Sequence, residues 1–224
     1  MYFASRVAAG EMLADRILKK HHNTECVVIA LDDGGVIVGA QIGVRLKSAL
    51  MLLLSEEIKL PLEPDALAGI SSDGDFAYNT RYSPGEIEEF TGEYRGLIEQ
   101  EKLTGLHALN RLVKSGSVLN KKLLKGKTII LVSDGLKSNF SIDVALAYLK
   151  VVDLKKLIIA TPLATVPVID RMHVAADELY CLDVIDDYIS TDHYYEKNDV
   201  PDHDVIIKTL QDFIAKWPVP KDKK

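Results

Sequence analysis

Cysteine is scarce in this chain of 224 residues, which contains two, Cys26 and Cys181. Two thiols beside separate apolar runs provide neither the paired framework of a disulfide-stabilised domain nor the ligand set of a structural zinc site. Long hydrophobic runs are also missing, since none reaches the roughly 18 apolar residues that a membrane-spanning helix requires. These absences predict a protein of a reducing compartment that does not span a membrane.

An excess of positive charge is the third absence. The chain has 27 Lys and Arg against 33 Asp and Glu, which gives a formal net charge of −6. An acidic protein cannot neutralise phosphates, so neither nucleic acid nor an anionic membrane is expected as its main partner. Charged residues from Arg6 to Arg16 interrupt the apolar residues near the start, so no secretory signal is expected. The sequence therefore predicts a cytoplasmic protein.

Apolar runs typical of buried strands alternate with helical patterns along the chain. The predicted strands are Cys26–Leu31, Leu50–Leu54, Thr128–Val132, Leu157–Ala160 and Glu178–Val184. The predicted helices are Arg6–Lys20, Val36–Lys47, Ile142–Val151, Val166–Ala175 and Asp204–Trp217. This alternation predicts an α/β fold, with a mostly parallel twisted sheet and helices on both faces. His21 and His22, which end the first helix, are expected on the surface.

Residues 58–120 interrupt the alternation and predict a small insertion. Ala68–Tyr78 indicates a hairpin with Asp73-Gly74 at its turn, and Pro84–Lys114 indicates a helical segment that glycines weaken. The apolar stripe of that segment makes a second copy of the chain a candidate partner, as in a homodimer. The length favours a single domain over residues 1–224, with a hood or flap at about 58–120.

Four loops stand where ligands bind in parallel sheets, beyond the carboxyl ends of strands. The first contains Asp32-Asp33-Gly34-Gly35, where glycines allow backbone N–H groups to approach a ligand closely. The second begins at Glu56 and the third covers Ser133–Ser141. The fourth, Thr191–Asp199, is rich in tyrosine, which could stack on a base or sugar or pack as an aromatic lid. For each loop, the alternative is a turn that only closes a strand.

The third loop carries the most information. An apolar strand ends in an acid, Asp134, and a glycine, and a hydroxyl-rich stretch then leads into a helix. Backbone N–H groups and hydroxyls at a helix N-terminus are suited to binding a phosphate.

These loops resemble those of the type I phosphoribosyltransferases, in particular a branch whose pyrophosphate loop reads Pro-Arg-Gly-Gly. In that family an acidic pair receives the ribose hydroxyls and the following loop holds the 5-phosphate. The resemblance implies a catalytic role for Asp134. The ligand-binding residues that it implies are Asp33, Gly34, Gly35, Glu57, Lys59, Ser133, Asp134, Gly135, Lys137, Ser138, Asn139, Phe140, Ser141 and Tyr195.

The chain departs from the family pattern at several loops. Asp33 replaces an Arg, and Glu56-Glu57 replaces an Arg-Lys pair, although Lys59 could restore one charge. In the third loop Ser133 replaces an acid and Phe140 replaces a small residue. Asn139 replaces a Gly, and Asn can adopt the left-handed geometry that a Gly allows. The two departures at the first and second loops reverse the charge offered to a diphosphate.

Two functions follow from the resemblance. Active members exchange the pyrophosphate of 5-phosphoribosyl-1-diphosphate for a nitrogen base, with Mg²⁺ bridging the diphosphate. The first hypothesis is such a transferase with altered loops. The second is a divergent relative with weakened or lost binding of that substrate, which acts as a ligand-binding or regulatory protein. The departures favour the second hypothesis. The implied partner is a phosphorylated sugar or a nucleotide, and the sequence specifies no metal ligands.

Overall fold

A computed structural model describes residues 2–22, 24–113, 121–198 and 200–217 of the chain. Its strands are β1 Cys26–Ala30, β2 Ala49–Leu52, β3 Ser55–Ile58, β4 Ala68–Ser71, β5 Phe76–Tyr78, β6 Thr128–Val132, β7 Lys156–Thr165 and β8 Glu178–Ile185. Five of them form a sheet in the order β2-β1-β6-β7-β8, and every neighbouring pair is parallel. The predicted parallel sheet is confirmed.

Helices cover both faces of this sheet. The helices are α1 Arg6–His21, α2 Asp33–Leu46, α3 Pro84–Glu93, α4 Arg95–Val113, α5 Phe140–Leu149, α6 Val166–Ala175 and α7 His203–Lys216. Helices α1, α2 and α7 share one core with strand residues such as Val28, while α5 and α6 share a second core with residues such as Ile29. Successive strand residues point to opposite faces, so each buried strand contributes to both cores. The predicted fold class is therefore confirmed.

A second, antiparallel sheet in the order β3-β4-β5 lies between β2 and β6 in the chain, together with α3 and α4. The predicted hairpin is present, with Gly74 at a φ of +85° in its turn. Glu56 and Glu57, predicted in a loop, instead form part of β3. The helix predicted over Pro84–Lys114 is divided at Tyr94. A single domain with this hood remains a prediction, and residues 114–120 lie outside the described residues.

Glu178 binds side chains from three elements at the amino-terminal edge of the main sheet. Its carboxylate lies 3.0 Å from Lys20 Nζ, 3.0 Å from His21 Nε2 and 2.7 Å from Lys156 Nζ. Tyr180 donates to it at 3.1 Å. The prediction that His21 lies on the surface is wrong, because this contact buries it, whereas His22 is exposed.

The described helices include none that is both long enough and apolar enough to cross a membrane.

Candidate functional site

A cleft of about 320 Å³ lies beyond the carboxyl ends of β1, β2 and β6. It brings together three of the four predicted loops. The lining residues are Leu31, Asp32, Asp33, Leu52, Leu53, Leu54, Ser55, Glu57, Gly135, Leu136, Lys137, Ser138, Phe140 and Ser141. The charged members of this lining are three acids and one lysine. Parallel sheets commonly bind ligands at this edge, so the cleft is the candidate functional site.

Asp33 enters the cleft from the first turn of α2. Its two carboxylate oxygens each lie 3.0 Å from Nδ1 of His203, the first residue of α7. A carboxylate accepts, so the imidazole is placed to donate its Nδ1–H to Asp33. The acid that replaces the family's arginine therefore has a partner from the far end of the chain. Nothing in the local sequence around His203 indicates this contact.

Gly34 and Gly35 do not line the cleft, because they pack against the end of β6. A Cβ at Gly34 would lie 2.0 Å from Asp134 Oδ2, and one at Gly35 would lie 2.7 Å from the carbonyl oxygen of Val132. The backbone N–H of Gly35 donates to Asp32 Oδ1 at 2.5 Å. Close packing of α2 on β6 requires glycine at both positions. This packing gives a structural reason for the pair, and ligand binding by Gly34 and Gly35 stays a prediction.

Asp134 lies behind the cleft in a buried ion pair. Its Oδ2 is 2.6 Å from Nε of Arg6, whose side chain is 2% exposed. The same guanidinium reaches Asp192 at 2.5 Å and lies 4.5 Å from the ring centroid of Tyr195. Tyr195 is itself buried and donates its hydroxyl to the carbonyl oxygen of Asp134 at 2.6 Å. Tyr194 and Tyr195 are therefore packed in the fold, a ligand-binding role for Tyr195 stays a prediction, and Asp199 at the end of the segment lies outside the described residues.

Arg6 was not predicted as a site residue, although the sequence around it carries a signal. Arg6 falls on the same helical face as Gly10, Leu13 and Ile17, all of which are buried. A charged residue on the apolar stripe of an amphipathic helix requires a buried partner. That pattern identifies Arg6 as a paired cation, but it does not identify Asp134 as the partner.

Two further groups next to Asp134 complete the polar cluster. Asp32 caps α2 and accepts a hydrogen bond from the hydroxyl of the fully buried Ser133 at 2.5 Å. Burial and the neighbouring charge of Asp134 raise the pKa of Asp32 well above its usual range. Burial also raises the pKa of Asp134, although Arg6 opposes that effect. The carboxyl ends of β1 and β6 thus hold two acids that disfavour simultaneous ionisation.

Glu56 and Glu57 point in different directions. Glu57 lines the cleft, whereas Glu56 packs towards α4. A Cβ added at Gly105 of α4 would lie 3.3 Å from the Cβ of Glu56. The two-residue period of β3 explains the division, and it also places Lys59 beside Glu57. Lys59 Nζ lies 2.6 Å from Glu57 Oε2, and this hydrogen bond raises the pKa of Lys59. Lys59, which was expected to restore a positive charge in place of the lost basic pair, is therefore paired with Glu57.

Phe140 is the first residue of α5 and closes one wall of the cleft against the second sheet. Its side chain is buried, and a Cβ at Gly69 in β4 would lie 2.1 Å from its Cε2. Asn139 precedes it with φ −72°, so left-handed geometry is not required there. Asn139 Nδ2 donates to Thr80 Oγ1 at 3.2 Å, which ties this loop to the hood.

The rest of the loop continues around the cleft. Lys137 is exposed on the rim, and Ser138 and Ser141 place hydroxyls on the lining. Gly135 is held closely, because a Cβ there would lie 2.2 Å from the hydroxyl of Tyr188. A second cavity of about 230 Å³ shares Lys137 and Ser138 and also contacts Asn139.

Across the described part of the chain, no group of three His, Cys, Asp or Glu side chains is arranged to hold a metal ion. The acids of the cleft therefore do not constitute a preformed metal centre.

Two Mycobacterium tuberculosis proteins, from strains CDC 1551/Oshkosh and H37Rv, each named "Putative phosphoribosyl transferase", are 25% identical to the chain over 181 residues. The match covers 80% of this chain and 40% of each relative, so the chain spans less than half of their length. No family model matches the chain.

Solved structures share the fold. TT1426 from Thermus thermophilus superposes with a TM-score of 0.73 at 22% identity, covering 95% of this chain and 99% of that one. A hypoxanthine phosphoribosyltransferase from Staphylococcus aureus gives a TM-score of 0.50 at 11% identity, covering 84% and 79%. The chain therefore has the phosphoribosyltransferase fold. The resemblance identified from its loops, to the type I phosphoribosyltransferases, is confirmed by these similarities.

Proposed function

We propose that the chain is a divergent phosphoribosyltransferase relative that binds 5-phosphoribosyl-1-diphosphate weakly or not at all, and that acts as a ligand-binding or regulatory protein. One observation carries this proposal. Asp33 and Glu57 line the cleft at the two positions where the resemblance expects basic residues. A protein of this kind, with no nucleic acid or membrane partner, fits a cytoplasmic location.

The size of the electrostatic effect supports the proposal. A like-charge contact at about 4 Å costs about 1 kcal/mol in water and several times more at the lower effective dielectric of a partly buried cleft. Replacing a cation by an anion also removes the attraction that the cation would supply. His203 and Lys59 contact Asp33 and Glu57 and are engaged by those acids, so neither is free to contact a diphosphate.

The position of Asp134 is the second support. In the family an acid at this place receives ribose hydroxyls, but here Asp134 Oδ2 is paired with Arg6 and packed against Gly34. Ser133, at the place of the second acid, is fully buried and donates to Asp32. Neither residue lines the cleft, so a ribose bound there would need other partners.

An active phosphoribosyl transferase is the alternative. It is favoured by the hydroxyls of Ser138 and Ser141 and the ammonium of Lys137, which line the cleft where the family holds the 5-phosphate. In that case Mg²⁺ would accompany the diphosphate, and the carboxylates of Asp32 and Asp33 are the hard oxygen donors that it prefers. The chain's own residues would then position a phosphorylated sugar and exclude water.

Calorimetric titration with 5-phosphoribosyl-1-diphosphate and MgCl₂ tests the proposal. We expect no dissociation constant in the low micromolar range for the natural chain. The double variant Asp33→Arg/Glu57→Lys should bind at least about tenfold more tightly than the natural chain, a gain of about 1.4 kcal/mol. The matched control is Asp33→Arg/Glu56→Lys, which changes the net charge equally but places the lysine outside the cleft. Low-micromolar binding by the natural chain would favour the active transferase.

A further inference from the structure

The cleft combines an apolar floor with an acidic rim, and this combination restricts the ligands that suit it. The floor consists of Leu31, Leu52, Leu53, Leu54, Leu136 and Phe140. These side chains come from the ends of three strands and the start of α5. A ligand composed only of phosphates and hydroxyls would leave this apolar surface without a matching group. Burial of an apolar ligand body against the leucines would be favourable.

Glu57 is available to a ligand on the rim. Its side chain is 39% exposed and its partner Lys59 is 65% exposed, so their ion pair is a surface contact. Such pairs contribute little to stability, and a ligand cation can replace the lysine at low cost. Asp32, in contrast, already accepts hydrogen bonds from Gly35 and Ser133.

Asp33 stands on the same rim, and the acids among the lining residues outnumber the single lysine, Lys137. The partner of Asp33, His203, is placed to donate from Nδ1, while the Nε2 atom of that ring is buried with no hydrogen-bond partner. The side chain of Asp33 is 31% exposed and lines the cleft, so a ligand that carries positive charge can reach it.

We propose that this cleft binds a small organic cation: an amine, amidine or guanidine carried on an apolar body, with the cation against Glu57 and Asp33 and the body on the leucine floor. This inference rests on the proposed function, because it assumes that the cleft no longer takes a diphosphate. The ligand class differs from the phosphorylated sugar or nucleotide that the resemblance implies. The charge is organic rather than metallic in this proposal, because the described side chains form no metal-binding group.

Three probes that share one ring test the preference for charge. Benzamidine is a planar cation, benzamide its neutral counterpart and benzoate its anionic counterpart, and each is small enough for a cleft of about 320 Å³. NMR titration of the full chain measures all three affinities. We expect benzamidine to bind about fivefold or more tightly than benzamide, a ratio that one partly exposed charge contact can supply, and benzoate to bind least. Equal affinities, tighter benzoate binding or no benzamidine binding would overturn the inference.

Adjacent glutamates provide a matched pair of variants. Glu57→Gln should reduce the affinity for benzamidine about threefold or more and leave benzamide unchanged. Glu56→Gln removes the same charge from the neighbouring position outside the cleft and should leave both affinities unchanged. Equal losses in the two variants would place the cation elsewhere and overturn the assignment. Coincident thermal unfolding of both variants and the natural chain establishes that the fold is intact.

The diphosphate titration separates the two proposals. Low-micromolar binding of 5-phosphoribosyl-1-diphosphate overturns the proposed function, whatever the amidine does. Failure of benzamidine to bind, when the diphosphate also does not bind, overturns only the present inference.

Discussion

Acids at the two ends of the main sheet have pKa values that are shifted in opposite directions. At the amino-terminal edge, Glu178 accepts hydrogen bonds from two lysines, a histidine and a tyrosine, and these interactions lower its pKa far below the usual range. At the carboxyl-terminal edge, burial and the charge of Asp134 raise the pKa of Asp32. Arg6 is the cation that pairs with Asp134 there.

This difference indicates which edge of the sheet contributes to stability and which edge is the candidate for binding a ligand. A carboxylate with several donors favours the folded chain at neutral pH, whereas two adjacent buried acids with raised pKa values do not. Acids with raised pKa values and partly satisfied charge are common at functional sites. The cleft lies at the edge with the raised pKa values, which agrees with its assignment as the candidate site.

Removing the arginine should have the largest effect. Arg6→Met leaves Asp134 buried without its cation, and breaking a buried pair in this way costs about 3 to 5 kcal/mol. Urea unfolding measures the free energy of unfolding directly. Arg16→Met, an exposed position on the same helix, is the control and should cost less than about 1 kcal/mol. A loss below about 1 kcal/mol for Arg6→Met would mean that the carboxyl-terminal edge tolerates an unpaired acid.

Filling the space beside Asp134 should have an intermediate effect. In Gly34→Ala the new methyl group would lie 2.0 Å from Asp134 Oδ2, so the carboxylate that pairs with Arg6 must move. Overpacking of this kind costs about 1 to 3 kcal/mol in the free energy of unfolding. The control is Gly85→Ala in α3, where a methyl group meets nothing within 4 Å and helix propensity improves. Equal stability of the two variants would contradict the close packing of α2 on β6.

The smallest effect is a difference in pH dependence between the two edges. Because the pKa of Glu178 is lowered in the folded chain, its stabilisation is present above the unfolded pKa of about 4.3 and is lost as the pH falls below that value. Glu178→Gln should therefore cost about 1 to 2 kcal/mol near neutral pH and progressively less in acid. Unfolding curves at several pH values measure this change.

Asp32→Asn should show the opposite trend. A raised carboxyl pKa favours the folded chain below the unfolded pKa of about 3.9, and this contribution is lost as the pH rises through the folded value. The variant should therefore become more stable relative to the natural chain as the pH rises towards neutrality. Parallel pH profiles for Glu178→Gln and Asp32→Asn would remove the distinction between the two edges.

Local sequence patterns predicted most of the secondary structure. The strand over Thr128–Val132 and the helix over Val166–Ala175 were predicted with their observed bounds, and the Asp73-Gly74 turn lies where expected. A buried parallel strand is a continuous apolar run, and a turn that requires positive φ favours glycine. These preferences act over a few residues, so the sequence alone expresses them.

The site was predicted only in part, for the same reason. The loops that line the cleft were identified, because strands that alternate with helices bring their carboxyl ends to one edge. The role of each charge was not, since Arg6 and Asp134 are 128 residues apart and His203 and Asp33 are 170 apart. Glu56 and Glu57 are the same residue type, and only the pleat of β3 directs one side chain into the cleft and the other away from it.

The sequence by itself determined the order of strands and helices, the loops at the strand ends and the acidic residues Asp33 and Glu57 at those ends. Tertiary structure alone decided that Asp134 pairs with Arg6 behind the cleft, and that His21 is buried against Glu178. The physical reason is the distance along the chain between the groups that interact. Backbone preferences and hydrophobic periodicity are set by neighbours in the chain, whereas the partner and the ionisation of a buried charge depend on groups that only the folded chain brings together.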